Sequence, residues 1–126
     1  MPGKIVHFEL PSEDTARARG FWSGLFAWSF NDPGMGGEYW LTRTGENQGG
    51  AVHPAFEGRT GIVVYFDTDD IDESVAKVRQ LGGTAEEKQP IPHVGWFAPC
   101  VDTEGNAFSL FQSDETVVQC PEPRSP

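Results

Sequence analysis

The side chains best suited to chemistry lie in two short segments that repeat one order of apolar, aromatic and acidic residues. His7 and Glu9 belong to residues 5–10, and Tyr65 and Asp67 belong to residues 63–68. Side chains two positions apart on a strand share a face, so each pair is predicted to point one way. An imidazole beside a carboxylate can act in acid/base chemistry, and an imidazole can also bind a divalent metal.

These segments open two copies of one pattern, which is a strand, a helix and a run of short strands. The copies span about residues 4–57 and 60–113. A module of about fifty residues would struggle to bury a sufficient core by itself. The sequence therefore predicts a single domain over residues 1–113, with two half-sites that face one cavity. Residues 114–126 are rich in proline and polar side chains and are expected to form a disordered tail.

Local signals predict one helix in each copy. For the first helix Ser12 is the expected N-cap, and a stripe at helical spacing predicts one buried face: Ala18, Phe21, Trp22, Leu25 and Phe26. In the second copy Asp70 and Glu73 have the spacing of a capping box, and Gly82 and Gly83 are expected to end the helix. Its apolar stripe is Ile71, Val75 and Val78.

Composition excludes several classes of protein. The formal net charge of −10 and the lack of a basic patch argue against nucleic-acid binding. No apolar run approaches the roughly 20 residues of a membrane span, and the first residues have no signal-peptide core, so a soluble cytoplasmic protein is expected. Cys100 and Cys120 have no zinc or disulfide spacing and are predicted to be reduced thiols. The acidic residues of 67–73 are interpreted as a solvated turn rather than a cation site.

Segments along nearly the whole chain resemble a known superfamily. They are residues 21–28, 70–75, 82–83, 94–97 and 102–112. Together they are similar to the vicinal-oxygen-chelate (VOC) superfamily, which holds glyoxalase I, extradiol dioxygenases, fosfomycin-resistance enzymes and bleomycin-binding proteins. The resemblance implies an α+β fold in which two tandem βαβββ modules form curled mixed sheets around a shared cavity. One such scaffold hosts many functions.

The implied fold, combined with strand alternation, predicts which side chains line the cavity. If Val6, Phe8 and Leu10 pack under the helices, the alternate residues of that strand face the cavity. On the last strand, Phe108 and Leu110 are expected to turn to the core. The aromatic content exceeds what a small core needs, and Trp40 and Trp96, at matching points of the two modules, are expected to wall a pocket. The predicted ligand-binding set is His7, Glu9, Trp40, Tyr65, Asp67, Trp96, Ser109 and Phe111.

The resemblance also implies where a metal would bind, because enzymatic members hold one with side chains from the first and last strands of each module. His7 matches such a position, whereas Tyr65, Ser109 and residues 49–52 do not supply the usual ligands. No metal or other cofactor is therefore expected. A displaced site of His7, Glu9 and His53 is the alternative. Otherwise His53 and His93 are interpreted as surface loop residues.

The sequence favours a metal-free small-molecule-binding protein of the glyoxalase/bleomycin-resistance type. Aromatic walls and acidic charge favour a planar ligand that is neutral or cationic, so the protein would sequester a toxic or antibiotic-like compound. One alternative is a lyase, isomerase or dioxygenase with a divergent metal site around His7, or with acid/base chemistry by His7 and Glu9. Another is a non-catalytic dimeric interaction module. The resemblance implies a homodimer.

Overall fold

The computed structural model describes residues 3–32, 38–55 and 61–117. These ranges contain two helices and eight strands, which define an α+β protein. Cys120 lies outside the described residues. In chain order the elements are β1 (Ile5–Ser12), α1 (Thr15–Phe26), β2 (Trp40–Gly45), β3 (Gln48–Pro54), β4 (Val63–Asp67), α2 (Ile71–Gln80), β5 (Thr84–Ala85), β6 (Gln89–Ile91), β7 (Gly95–Val101) and β8 (Ala107–Ser113).

The chain divides into two compact units. The first unit comprises residues 5–64, and the second comprises residues 1–4 with residues 65–126. In the first unit the strand order is β2-β3-β1, with β1 parallel and β2 antiparallel to β3. The register places His7 beside Gly49 and Glu9 beside Ala51. This sheet carries the histidine, tyrosine and carboxylate side chains described below.

The second unit has the strand order β4-β8-β7-β5, and β6 also pairs with β7. Its core forms between α2 and the inner strands. The buried cluster consists of Ile71, Val75, Ala98, Cys100 and Leu110, and Phe108 packs against it. The prediction that Phe108 and Leu110 turn toward the core is therefore confirmed, because alternate residues of β8 share the face that α2 covers.

The second predicted helix is confirmed in both its start and its end. The Asp70 side chain accepts a hydrogen bond from the backbone N–H of Glu73 at 3.1 Å, as an N-cap does. The helix ends at Gln80, and Gly82 follows with a φ of 100°, a conformation that glycine adopts without strain. Local capping chemistry thus sets the limits of α2.

The first predicted helix forms, but two of its expected features are wrong. Ser12 is the last residue of β1, and Asp14 is the N-cap, because its carboxylate accepts a hydrogen bond from the Arg17 backbone at 3.0 Å. The predicted stripe is not buried as a unit. Phe21, Leu25 and Phe26 are 61%, 55% and 54% exposed. The rings near this helix pack on one another: Trp22 of α1 stacks on Phe26 and on Trp28, which follows the helix, with ring centroids 6.0 Å and 5.3 Å apart.

The first residues of the predicted tail make contacts within the second unit. Val117 is buried, and its carbonyl accepts a hydrogen bond from the backbone N–H of His93, so residues 114–117 are tied to the second unit. Residues 118–126 of the predicted tail lie outside the described residues. Within the described ranges, neither helix is long and apolar enough to cross a membrane.

Candidate functional site

Four polar side chains meet on one face of the first unit's sheet. His7 and Glu9 come from β1, His53 from β3, and Tyr39 from the residue before β2. The Tyr39 hydroxyl donates a hydrogen bond to Glu9 Oε2 at 2.7 Å and lies 2.9 Å from His7 Nε2. His53 Nε2 lies 3.7 Å from Glu9 Oε1. These four residues are called the His7 cluster below.

The hydrogen-bond partners assign the protons of the His7 cluster. Because the Tyr39 hydroxyl gives its proton to Glu9, His7 Nε2 must donate to the Tyr39 oxygen, which makes His7 the Nε2–H tautomer. His53 Nδ1 lies 2.8 Å from the Pro54 carbonyl oxygen, which can only accept, so Nδ1 carries a proton. His7, Tyr39 and Glu9 thus form a directed chain of hydrogen bonds that ends on a carboxylate.

Burial lowers the pKa of His7 below the usual range of an imidazole. The nearby Glu9 carboxylate acts in the opposite direction, and His53 lowers the pKa further. His7 is therefore neutral at pH 7. Because the unfolded chain binds this proton more readily than the folded one, the contribution of His7 to stability falls as the pH drops through the ordinary pKa of histidine.

His53 corrects a prediction from sequence. It is not a surface loop residue, because β3 continues through it to Pro54 and its side chain is 7% exposed. Its ring stacks near that of Tyr39, with centroids 5.9 Å apart and planes 20° apart. His93 is an exposed turn residue, as predicted.

Tyr39 was not among the predicted ligand-binding residues, because its neighbour Trp40 was expected to face the pocket. Trp40 and Tyr39 are adjacent, so alternation sends them to opposite faces. The Arg19 guanidinium of α1 lies 3.9 Å from the centroid of the Trp40 ring, which places Trp40 on the helix side. The structure therefore separates Trp40 from His7 and Glu9. Alternation of side chains along the strand would have identified Tyr39 if the face occupied by Trp40 had been known.

In the second unit, too, the predicted site residues lie on two different faces of the sheet. Tyr65 is buried and its ring centroid lies 6.3 Å from that of Phe97, while Phe111 pairs with Phe97 across β7 and β8. Ser109 is also buried on this face, opposite Pro99. Trp96 lies on the other face of β7, where it packs against the core under α2. Asp67 ends β4 and is half-buried.

The residues present do not fit the metal site that the superfamily implies. Neither Gly49 nor Gly50 has room for a side chain, because a Cβ would lie 2.4 Å from the Thr42 carbonyl oxygen or 2.2 Å from the Phe8 ring. In the His7 cluster, the Tyr39 hydroxyl occupies the position between the His7 nitrogen and the Glu9 oxygen. Among the described residues, no group of three or more histidine, cysteine or acidic side chains is placed to hold a metal ion.

We expect the purified protein to contain no stoichiometric nickel, zinc, iron or manganese, and its melting temperature to be unchanged by EDTA. The physical reason is that a metal would have to displace the Tyr39 hydroxyl, and its site would offer few further protein ligands. Elemental analysis by mass spectrometry and thermal unfolding check this expectation. A bound ion that is lost from the variant His7→Ala would contradict it.

Cys100 lies in the core of the second unit. Its side chain is part of the core under α2, and burial raises the pKa of its thiol to about 11. The thiol therefore remains protonated at neutral pH, and the thiolate is the reactive form.

Comparison with known proteins agrees with this arrangement of elements. A model of the glyoxalase-like domain matches residues 6–111. The anthracycline biosynthesis protein DnrV of Streptomyces peucetius is 28% identical over 130 residues, covering 88% of this chain and 47% of DnrV. A glyoxylase-like domain-containing protein of Didymella fabae is 30% identical over 118 residues, covering 86% of this chain and 92% of that protein. The chain thus spans about half the length of DnrV.

The fold is also found among solved structures. A methylmalonyl-CoA epimerase in complex with methylmalonyl-CoA and NH4+ has a TM-score of 0.66 at 14% identity, covering 94% of this chain and 100% of the epimerase. Two helices and eight strands in this order define an α+β protein of the glyoxalase type. The chain belongs to the glyoxalase-like domain family of the VOC superfamily.

Proposed function

We propose that this protein binds a small organic molecule without a metal, and that the His7 cluster supplies the polar contacts. The observation that carries the proposal is the convergence of two imidazoles, a phenol and a carboxylate from three separate segments of the first unit. Ligand sites in proteins combine apolar walls with a few placed polar groups. Hydrogen bonds within the cluster hold these groups in position before a ligand arrives, which lowers the cost of binding.

The shape of the cluster favours a planar ligand. The planes of the His7 and Tyr39 rings lie 22° apart, and those of the Tyr39 and His53 rings lie 20° apart. The three rings therefore have similar orientations. Aromatic rings stack in offset, nearly parallel arrangements. The relative DnrV is named for anthracycline biosynthesis, and anthracyclines have planar ring systems. A role in sequestering or handling such a compound follows from the proposal.

We expect the variant Tyr39→Phe to bind the anthracycline doxorubicin about 5- to 10-fold more weakly than the parent protein. The variant keeps the ring but loses the hydroxyl that orders Glu9 and His7, and a hydrogen bond of this kind contributes about 1 kcal/mol. Isothermal titration calorimetry gives the affinity.

The variant Thr103→Val is the matched control, since Thr103 also donates a hydroxyl hydrogen bond to a glutamate, but on an exposed turn. Its affinity should equal that of the parent protein. No saturable binding of doxorubicin, or the same loss in both variants, would contradict the proposal.

A second candidate function is metal-independent acid/base chemistry at the same residues. The directed chain from neutral His7 through Tyr39 to Glu9 favours it. If His7 Nδ1 takes a proton from a substrate, the Nε2 proton passes to Tyr39 and the Tyr39 proton to Glu9, so the carboxylate becomes neutral and the buried imidazole stays uncharged.

We also infer a homodimer. The exposed apolar side chains of α1, Phe21, Leu25 and Phe26, support it, because contiguous apolar surface commonly marks a protein interface.

A further inference from the structure

The Glu9 carboxylate is largely buried, yet among the residues that the structure describes only one of its oxygens accepts a hydrogen bond. Its side chain is 16% exposed. Oε2 accepts the Tyr39 hydroxyl at 2.7 Å, whereas the ring nitrogen Nε2 of His53 lies 3.7 Å from Oε1, beyond hydrogen-bond length. Removing a carboxylate from water is costly unless its oxygens accept hydrogen bonds or face a cation. Oε1 thus lacks the close donor that Oε2 has.

The rest of the cluster holds this oxygen in a defined direction. Tyr39 fixes Oε2, and His7 fixes the Tyr39 oxygen from the other side. The proton on His53 Nδ1 is directed to the Pro54 carbonyl, away from Glu9. The carboxylate is therefore oriented by its neighbours without being neutralised by a close hydrogen bond at Oε1. Such an arrangement suits a donor that comes from a ligand.

We propose that Glu9 Oε1 binds a protonated amine of the ligand. This inference rests on the proposed function and names the ligand class as a planar molecule with an ammonium group. A charge-assisted N–H···O hydrogen bond is shorter and stronger than a neutral one. The formal net charge of −10 also favours the approach of a cation.

The experiment compares doxorubicin, which carries a protonated amine, with N-acetyldoxorubicin, in which an amide replaces that amine. Calorimetric titration is carried out at about 0.15 M salt, where surface charges are screened beyond about 8 Å. We expect the acetylated compound to bind the parent protein about 10- to 30-fold more weakly, as for a lost charge-assisted hydrogen bond. In the variant Glu9→Gln the two compounds should bind with equal affinity.

The variant Glu87→Gln controls for net charge, since it removes one negative charge from a side chain that is 91% exposed. It should keep the full preference for doxorubicin. Equal binding of both compounds by the parent protein would overturn the amine contact but leave the proposed function standing. An equal loss of preference in both variants would also overturn it, by showing that only long-range charge matters. Failure of both compounds to bind would overturn the inference together with the proposed function.

Discussion

The variant Gly49→Ala is expected to lose about 2–3 kcal/mol of unfolding free energy, the usual cost of forcing atoms into a packed site. An added Cβ would lie 2.4 Å from the Thr42 carbonyl oxygen and 3.5 Å from the Arg43 Cα. Both neighbours are backbone atoms of the paired strand β2, so neither can rotate away. Chemical denaturation at equilibrium measures the loss. Because Gly49 lies beside His7 in the register, the His7 cluster should be disturbed as well.

The variant Gly20→Ala provides the matched control. Gly20 lies inside α1, and an added Cβ would meet no atom within 4 Å. Alanine is favoured over glycine within a helix by about 0.5–1 kcal/mol, so the same substitution should stabilise the protein there. Equal stability of the Gly49→Ala variant and the parent protein would show that β2 and β3 are farther apart than the structure places them.

The variant Trp96→Ala is expected to lose about 2–4 kcal/mol of unfolding free energy while its affinity for doxorubicin stays that of the parent protein. Trp96 packs against the core of the second unit, and Lys88 Nζ lies 4.5 Å from the centroid of its ring. Truncation would remove this packing and the cation–π contact. Denaturation and calorimetric titration of one variant measure both quantities.

The control for Trp96→Ala is Phe21→Ala, which removes an aromatic ring that is mostly exposed and should lower stability by less. If Trp96→Ala instead weakened ligand binding and left stability unchanged, Trp96 would line the pocket, as its strand position first suggested.

Local spacing of residues along the sequence was sufficient to predict part of the fold and part of the site. The caps and apolar stripe of α2 were readable because capping and helical spacing act within a few residues. Alternation likewise predicted that His7 and Glu9 share a face and that Phe108 and Leu110 turn to the core. Each of these features depends on neighbours along the chain.

The partners of Glu9 were decided by tertiary structure. Sequence alone favoured a loop position for His53 over a site shared with His7 and Glu9. It also favoured Trp40 over Tyr39, because alternation gives two faces without saying which one the helix covers. The contact of Arg19 with Trp40 makes that choice, and it turns Tyr39 toward His7 and Glu9. Likewise, the apolar spacing of α1 predicted a buried face, but exposure depends on what packs there, and three of its apolar side chains remain exposed. Local periodicity thus determined which side chains share a face, and the pairing of distant strands determined which of them meet.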